Sequence, residues 1–247
     1  MRSPITLLRF GIENVFSRPS SFVLLYVPVL LAALALMPFE PGPNATMDEV
    51  LRFLVLMIPS FIVSLFYSVA VIKFVAEPGL TPVAAYQAAL PYIFRYVGLA
   101  ILLTIILLGG YILLIIPGII FSVWFAFAYL VLITEDTGVT EALKKSRNYV
   151  RGRWWGVFGR LVALILISLV FVLGLAVLLI PLTIFANPLV IEVVNLCVSA
   201  IVAPIAVSYS YALYQDLASP ANPTTESATP TAADAGSDTP PALNNEA

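Results

Sequence analysis

Polar and apolar positions fall into long blocks rather than short alternations. Six apolar runs occupy approximately residues 21–38, 50–75, 92–116, 119–134, 157–183 and 189–214. Each is close to the roughly 20 residues that carry an α-helix across the hydrocarbon core of a bilayer. Backbone N–H and C=O groups in lipid must be satisfied internally, which favours helices over any open sheet. The pattern therefore predicts an all-α polytopic membrane bundle of six transmembrane helices in three hairpins. The fourth run is short and needs local thinning of the bilayer or packing against neighbours.

Three shorter amphipathic stretches, residues 5–16, 81–90 and 139–150, each precede a hairpin and read as surface helices. Gly110 to Pro117 and Gly174 to Pro181 share one Gly-to-Pro spacing, and Pro38 closes the first run. These marks suggest three repeated units of surface helix plus hairpin, with each proline ending the first helix of its hairpin. Three parts follow: an amphipathic N-terminal segment (1–20), a transmembrane domain (21–216) and a tail (217–247). The tail is rich in Ala, Pro, Thr, Ser, Asn and acids, has no aromatic residue, and is expected to be disordered.

Charge gives the bundle a direction. Only 11% of the residues are charged, against roughly 25% in soluble domains. Arg2, Arg9, Arg18, Lys73, Arg95, Lys144, Lys145, Arg147, Arg151, Arg153 and Arg160 fall on one side of the bundle; only Arg52 falls on the other. Positive charge stays inside, so both termini are expected in the cytoplasm of a multi-pass cell-membrane protein. The first apolar run reads as a retained span, because Arg2, Arg9, Glu13 and Arg18 interrupt the segment before it.

The densest cationic segment is 139–155. Val139, Ala142, Leu143, Ser146 and Val150 share one helical face, and the cations lie away from it. Thr137 is placed to cap this helix, and Glu141 to pair with Lys145 one turn on. The helix is expected to lie flat, apolar stripe in the headgroups, with Trp154 and Trp155 marking the interface. Lys144, Lys145, Arg147, Arg151, Arg153, Trp154 and Trp155 are the candidate contacts for anionic lipid headgroups or a protein partner. Beside a membrane, anionic lipid explains such charge better than nucleic acid does, and no nucleic-acid partner is expected.

Other chemistry is scarce. There is no histidine, which removes imidazole metal ligands and histidine-based catalysis. Cys197 is the only cysteine; it is expected to be a buried, inert thiol. No cofactor or metal is expected, and no catalytic set can be assembled. Arg160 is expected to snorkel to the interface, and Glu192 to sit in the first turn of the sixth span. Ser199, Ala203, Ala206 and Ser210 form a small-residue stripe suited to packing within the bundle or between protomers. Pro59 and Pro204 are candidate kinks.

The ordered series Ile116-Pro117-Gly118, Ser122 to Tyr129, Glu135, Glu141-Ala142-Leu143-Lys144-Lys145-Ser146 and Arg151-Gly152-Arg153-Trp154-Trp155 resembles a known family. That family is the membrane domain found with some glycerophosphodiester phosphodiesterases, together with related six-helix prokaryotic proteins of unknown function. The resemblance implies a six-helix inner-membrane bundle. The phosphodiesterase of fused members is a separate soluble barrel that uses histidines and acidic metal ligands, so its activity does not carry over. The sequence thus leads to a non-catalytic membrane adaptor or lipid-associated module. The alternative is a transporter or channel for a small uncharged or amphipathic solute.

Overall fold

A computed structural model describes residues 1–42, 44–185 and 188–219, without the side chains of 181–189 and 192. The expected disordered tail and the Glu192 carboxylate lie outside the described residues. Among the described residues, ten α-helices run in chain order: α1 (Pro4–Ser17), α2 (Pro19–Leu36), α3 (Met47–Ala76), α4 (Pro82–Ala89), α5 (Ile93–Leu113), α6 (Ile115–Trp124), α7 (Ala128–Thr134), α8 (Val139–Val150), α9 (Trp154–Phe185) and α10 (Pro188–Ala218). No strand occurs among them. Six segments are long and apolar enough to cross a membrane: Pro19–Phe39, Met47–Ala76, Pro82–Leu113, Ile115–Thr134, Trp154–Ile180 and Val193–Ala218. These spans are strongly apolar, yet most of the residues in each are not buried within the protein. So much exposed apolar surface requires hydrocarbon around it rather than water.

The prolines act differently from the expectation. Pro38 does follow its helix, in a tight turn over Met37–Phe39. The α5–α6 break, however, falls at Leu114, which is extended (φ −165°, ψ 146°), three residues before Pro117. Pro117 lies in the first turn of α6, where its missing N–H has no intrahelical acceptor to leave unpaired. Helix α9 continues past Pro181 to Phe185. The matching Gly-to-Pro spacing therefore does not mark a shared helix end. Pro59 and Pro204 lie inside α3 and α10, which continue through them.

The surface helices carry the repeat instead. Helix α1 starts after the N-cap Ser3, α4 after Thr81 and α8 after Gly138. Four residues beyond each cap lies a buried residue, Leu7, Ala85 or Ala142, and four further lies a second, Gly11, Ala89 or Ser146. One face in one register is thus covered in all three. An arginine follows each helix and reaches the far end of its own hairpin. Arg18 donates to the Pro78 carbonyl (2.6 Å), Arg95 pairs with Asp136 (2.7 Å) and Arg153 donates to the Leu217 carbonyl (3.1 Å). Cations there complement the negative ends of α3, α7 and α10.

The packing is cyclic. Helix α4 packs on the α2–α3 hairpin before it, and α8 packs on α5, α6 and α7 before it. Helix α1, the first of the three, packs on α10 and α9 from the third hairpin. A Cβ at Gly11 would lie 2.9 Å from the Ile205 carbonyl oxygen, so only glycine admits this approach. Arg2 pairs with Asp216 (3.2 Å), and Asn14 donates to Ser208 (3.2 Å). Arg160 reaches back toward the start of α9, donating to the Arg2 carbonyl (2.9 Å) and to the Gly156 carbonyl one turn back (2.8 Å).

One packing expectation needs correction: Cys197 is exposed, because helix α10 buries a different face, with Pro204, Ser208, Ala212 and Leu217. Of the small-residue stripe, Ser199 is exposed while Ala203, Ala206 and Ser210 are half-buried.

Candidate functional site

The site grows from a break in the fourth span. Phe125, Ala126 and Phe127 form a turn between α6 and α7. A broken helix leaves backbone groups unpaired, and Ser146 of α8 meets two of them. Its fully buried hydroxyl donates to the Trp124 carbonyl (2.8 Å) and accepts from the Phe127 N–H (3.3 Å).

A second tie lies at the end of α7. Glu135 accepts from Lys145 (2.9 Å), Tyr149 (2.9 Å) and Tyr214 (2.7 Å), joining α7, α8 and α10. Burial pushes its carboxyl up, but the bonds from Lys145, Tyr214 and Tyr149 outweigh this and hold it below the usual carboxylate range. The Tyr149 phenol is pushed up, by burial first and then by Glu135, and stays protonated as a donor.

These ties correct the expected posture of α8. Its stripe, Ala142, Leu143, Ser146 and Val150, is buried against the bundle rather than in headgroups. Its N-cap is Gly138, with no side-chain cap, and Thr137 is buried with its hydroxyl unpartnered among the described residues. The expected Glu141–Lys145 pair does form (3.3 Å).

The candidate cations divide. Lys145 is held by Glu135 and Glu141, and Arg153 by the Leu217 carbonyl. Arg147 lies over the Trp124 ring, 4.5 Å from its centroid. Lys144 and Arg151 are exposed, and among the described residues neither has an ion pair.

Arg151 stands at the rim of an apolar groove of about 470 Å³. Ile116, Ile120 and Trp124, spaced four apart, form its α6 wall; Trp154 and Trp155 form its α9 wall. Gly152 makes the corner between α8 and α9 with φ +81°, a left-handed conformation that favours glycine. Trp154 stacks on Phe158, with ring centroids 5.0 Å apart, and meets Trp155 edge-on at 4.8 Å.

The groove thus brings together Arg151, Gly152, Trp154, Trp155 and Ile116 of the predicted set. Pro117 and Gly118 are not among its lining residues; Gly118 packs on the Tyr111 ring and close to Gly110. Glu141, Ala142, Leu143 and Ser146 hold α8, while Lys145, Arg147 and Arg153 are engaged within the protein. Ile120, Tyr149 and Tyr214 were not singled out in the sequence. The spacing of Ile116, Ile120 and Trp124 is the signal that marks the first. Nothing local marks Tyr214, which is 79 residues from Glu135.

A family profile described as a domain of unknown function (DUF7847) matches residues 50–217. No curated protein and no solved structure matches the chain.

Proposed function

The chain belongs to this DUF7847 family of unknown function, and from that premise we propose a non-catalytic, lipid-associated membrane module. Its contact face is the basic α8–α9 corner, turned toward anionic headgroups. The observation that carries this reading is Arg151, exposed and without an acid partner among the described residues, beside an apolar groove. Lys144 adds a second exposed cation on the same helix-and-corner segment. Positive charge near a membrane surface favours anionic lipid by about 1 kcal/mol per residue.

The orientation belongs to the same proposal. The surface helices, with eleven of the twelve basic residues on their side, face the cytoplasm of the cell membrane, as do both termini. The division into residues 1–20, 21–216 and a disordered 217–247 is proposed with it. Kinship with the phosphodiesterase-associated membrane domain rests on the residue series from Ile116 to Trp155. An adaptor role toward a protein partner is compatible with this face, whereas a transporter or channel reading has no comparable observation behind it.

All three tryptophans of the chain, Trp124, Trp154 and Trp155, line the groove, so intrinsic fluorescence reports on this corner. In zwitterionic nanodiscs doped with dansylated lipid, energy transfer should be stronger for an anionic than for a zwitterionic probe. The double variant Lys144→Gln/Arg151→Gln should abolish that preference. Equal transfer from both probes in the unaltered protein rejects the proposal.

A further inference from the structure

We infer that the α6–α9 groove holds one acyl chain of a glycerophospholipid whose phosphate is bound by Arg151. This deepens the preceding proposal and rests on it: a seated lipid replaces a diffuse surface attraction. The groove's volume, about 470 Å³, falls in the range of small-ligand sites. Its walls are isoleucine and tryptophan, which suit a hydrocarbon chain. Its one charged lining residue among the described residues is Arg151, which is exposed and whose guanidinium can take a phosphate by forked hydrogen bonding. Among the described residues no acid lines the groove to compete for Arg151.

The repeat supplies an internal comparison. The α6–α9 groove lies between the second span of one unit and the first span of the next. Helices α3 and α5 meet at the corresponding place and also leave a groove, of about 430 Å³. Its lining includes Phe61, Leu65, Ile101 and Ile105, with no charged residue and no tryptophan among the described residues. An apolar groove between units is thus a by-product of the architecture. The cation and the tryptophans distinguish the α6–α9 copy, where the amphiphile's charged end would sit.

The test uses the full-length protein in nanodiscs containing phosphatidylglycerol brominated on its acyl chain, with brominated phosphatidylcholine as comparison. Bromine quenches tryptophan on contact, and every tryptophan lines the groove. Brominated phosphatidylglycerol should quench at concentrations on the order of tenfold lower than brominated phosphatidylcholine, whose own choline cation neutralises the phosphate that Arg151 would bind. Arg151→Gln should remove that difference and Arg151→Lys retain part of it. Ile120→Phe, which fills the groove and leaves Arg151 in place, should reduce quenching while the dansyl preference for anionic headgroups persists. Quenching of equal strength by both brominated lipids overturns the recognition by Arg151, and quenching unaffected by Ile120→Phe in a monodisperse variant overturns the seated chain. Persistence of the dansyl preference in that case leaves surface attraction intact, and its absence removes both.

Discussion

At the scale of single residues, Ser146 shows how a buried hydroxyl decides a backbone path. Its two hydrogen bonds meet the carbonyl of Trp124 and the N–H of Phe127 at the α6–α7 break. Ser146→Ala removes both bonds and leaves the backbone groups without replacements. The expected destabilisation is about 1–3 kcal/mol, read as a lower denaturation midpoint in detergent. Glu135 makes a pH-dependent tie. Its carboxyl titrates lower in the folded protein than in the unfolded chain. Its contribution is therefore complete above the ordinary carboxylate range and is lost as pH falls through and below that range. Glu135→Gln should flatten this acid limb of the stability profile; an unchanged limb would assign it to other groups. Neither role follows from residue type alone, because Ser146 and Glu135 find their partners in other helices.

Among the elements, the spans were legible in the sequence because crossing hydrocarbon imposes composition and length directly. The α6–α7 break was not, because it depends on a hydroxyl supplied by α8. The posture of α8 was also ambiguous, since an apolar stripe suits lipid and a neighbouring helix equally well. Proline misled at the hairpins: Pro117 opens α6, and α9 continues beyond Pro181. The α5–α6 hairpin closes instead through glycine, since a Cβ at Gly110 would lie 3.2 Å from the Gly118 Cα. Gly118→Leu should therefore push the helices apart and displace Tyr111 from its hydrogen bond with Ser122, costing about 1–3 kcal/mol by overpacking. Gly109→Ala, with nothing within 4 Å of its Cβ, should leave the thermal midpoint unchanged or slightly raised. Equal effects of the two would contradict the close approach.

The whole molecule is a cycle of three units closed by α1. Its element order could be read from sequence, but the cyclic docking could not, because it joins residues as far apart as Arg2 and Asp216. Deleting residues 1–17 should expose the α10 surface around Tyr209 and Leu213 and speed hydrogen exchange there, while the α2–α3 hairpin remains protected. Uniform loss of protection, or none, would contradict a closure confined to that seam. Within this cycle, the α8–α9 corner combines an apolar groove with an arginine that has no acid partner among the described residues. The central claim is that this corner retains an anionic phospholipid. Native mass spectrometry of protein released from mixed phosphatidylglycerol–phosphatidylcholine nanodiscs counts retained lipids directly. A phosphatidylglycerol adduct on the unaltered protein that disappears with Arg151→Gln is the predicted result; identical adduct distributions for the two proteins would contradict it.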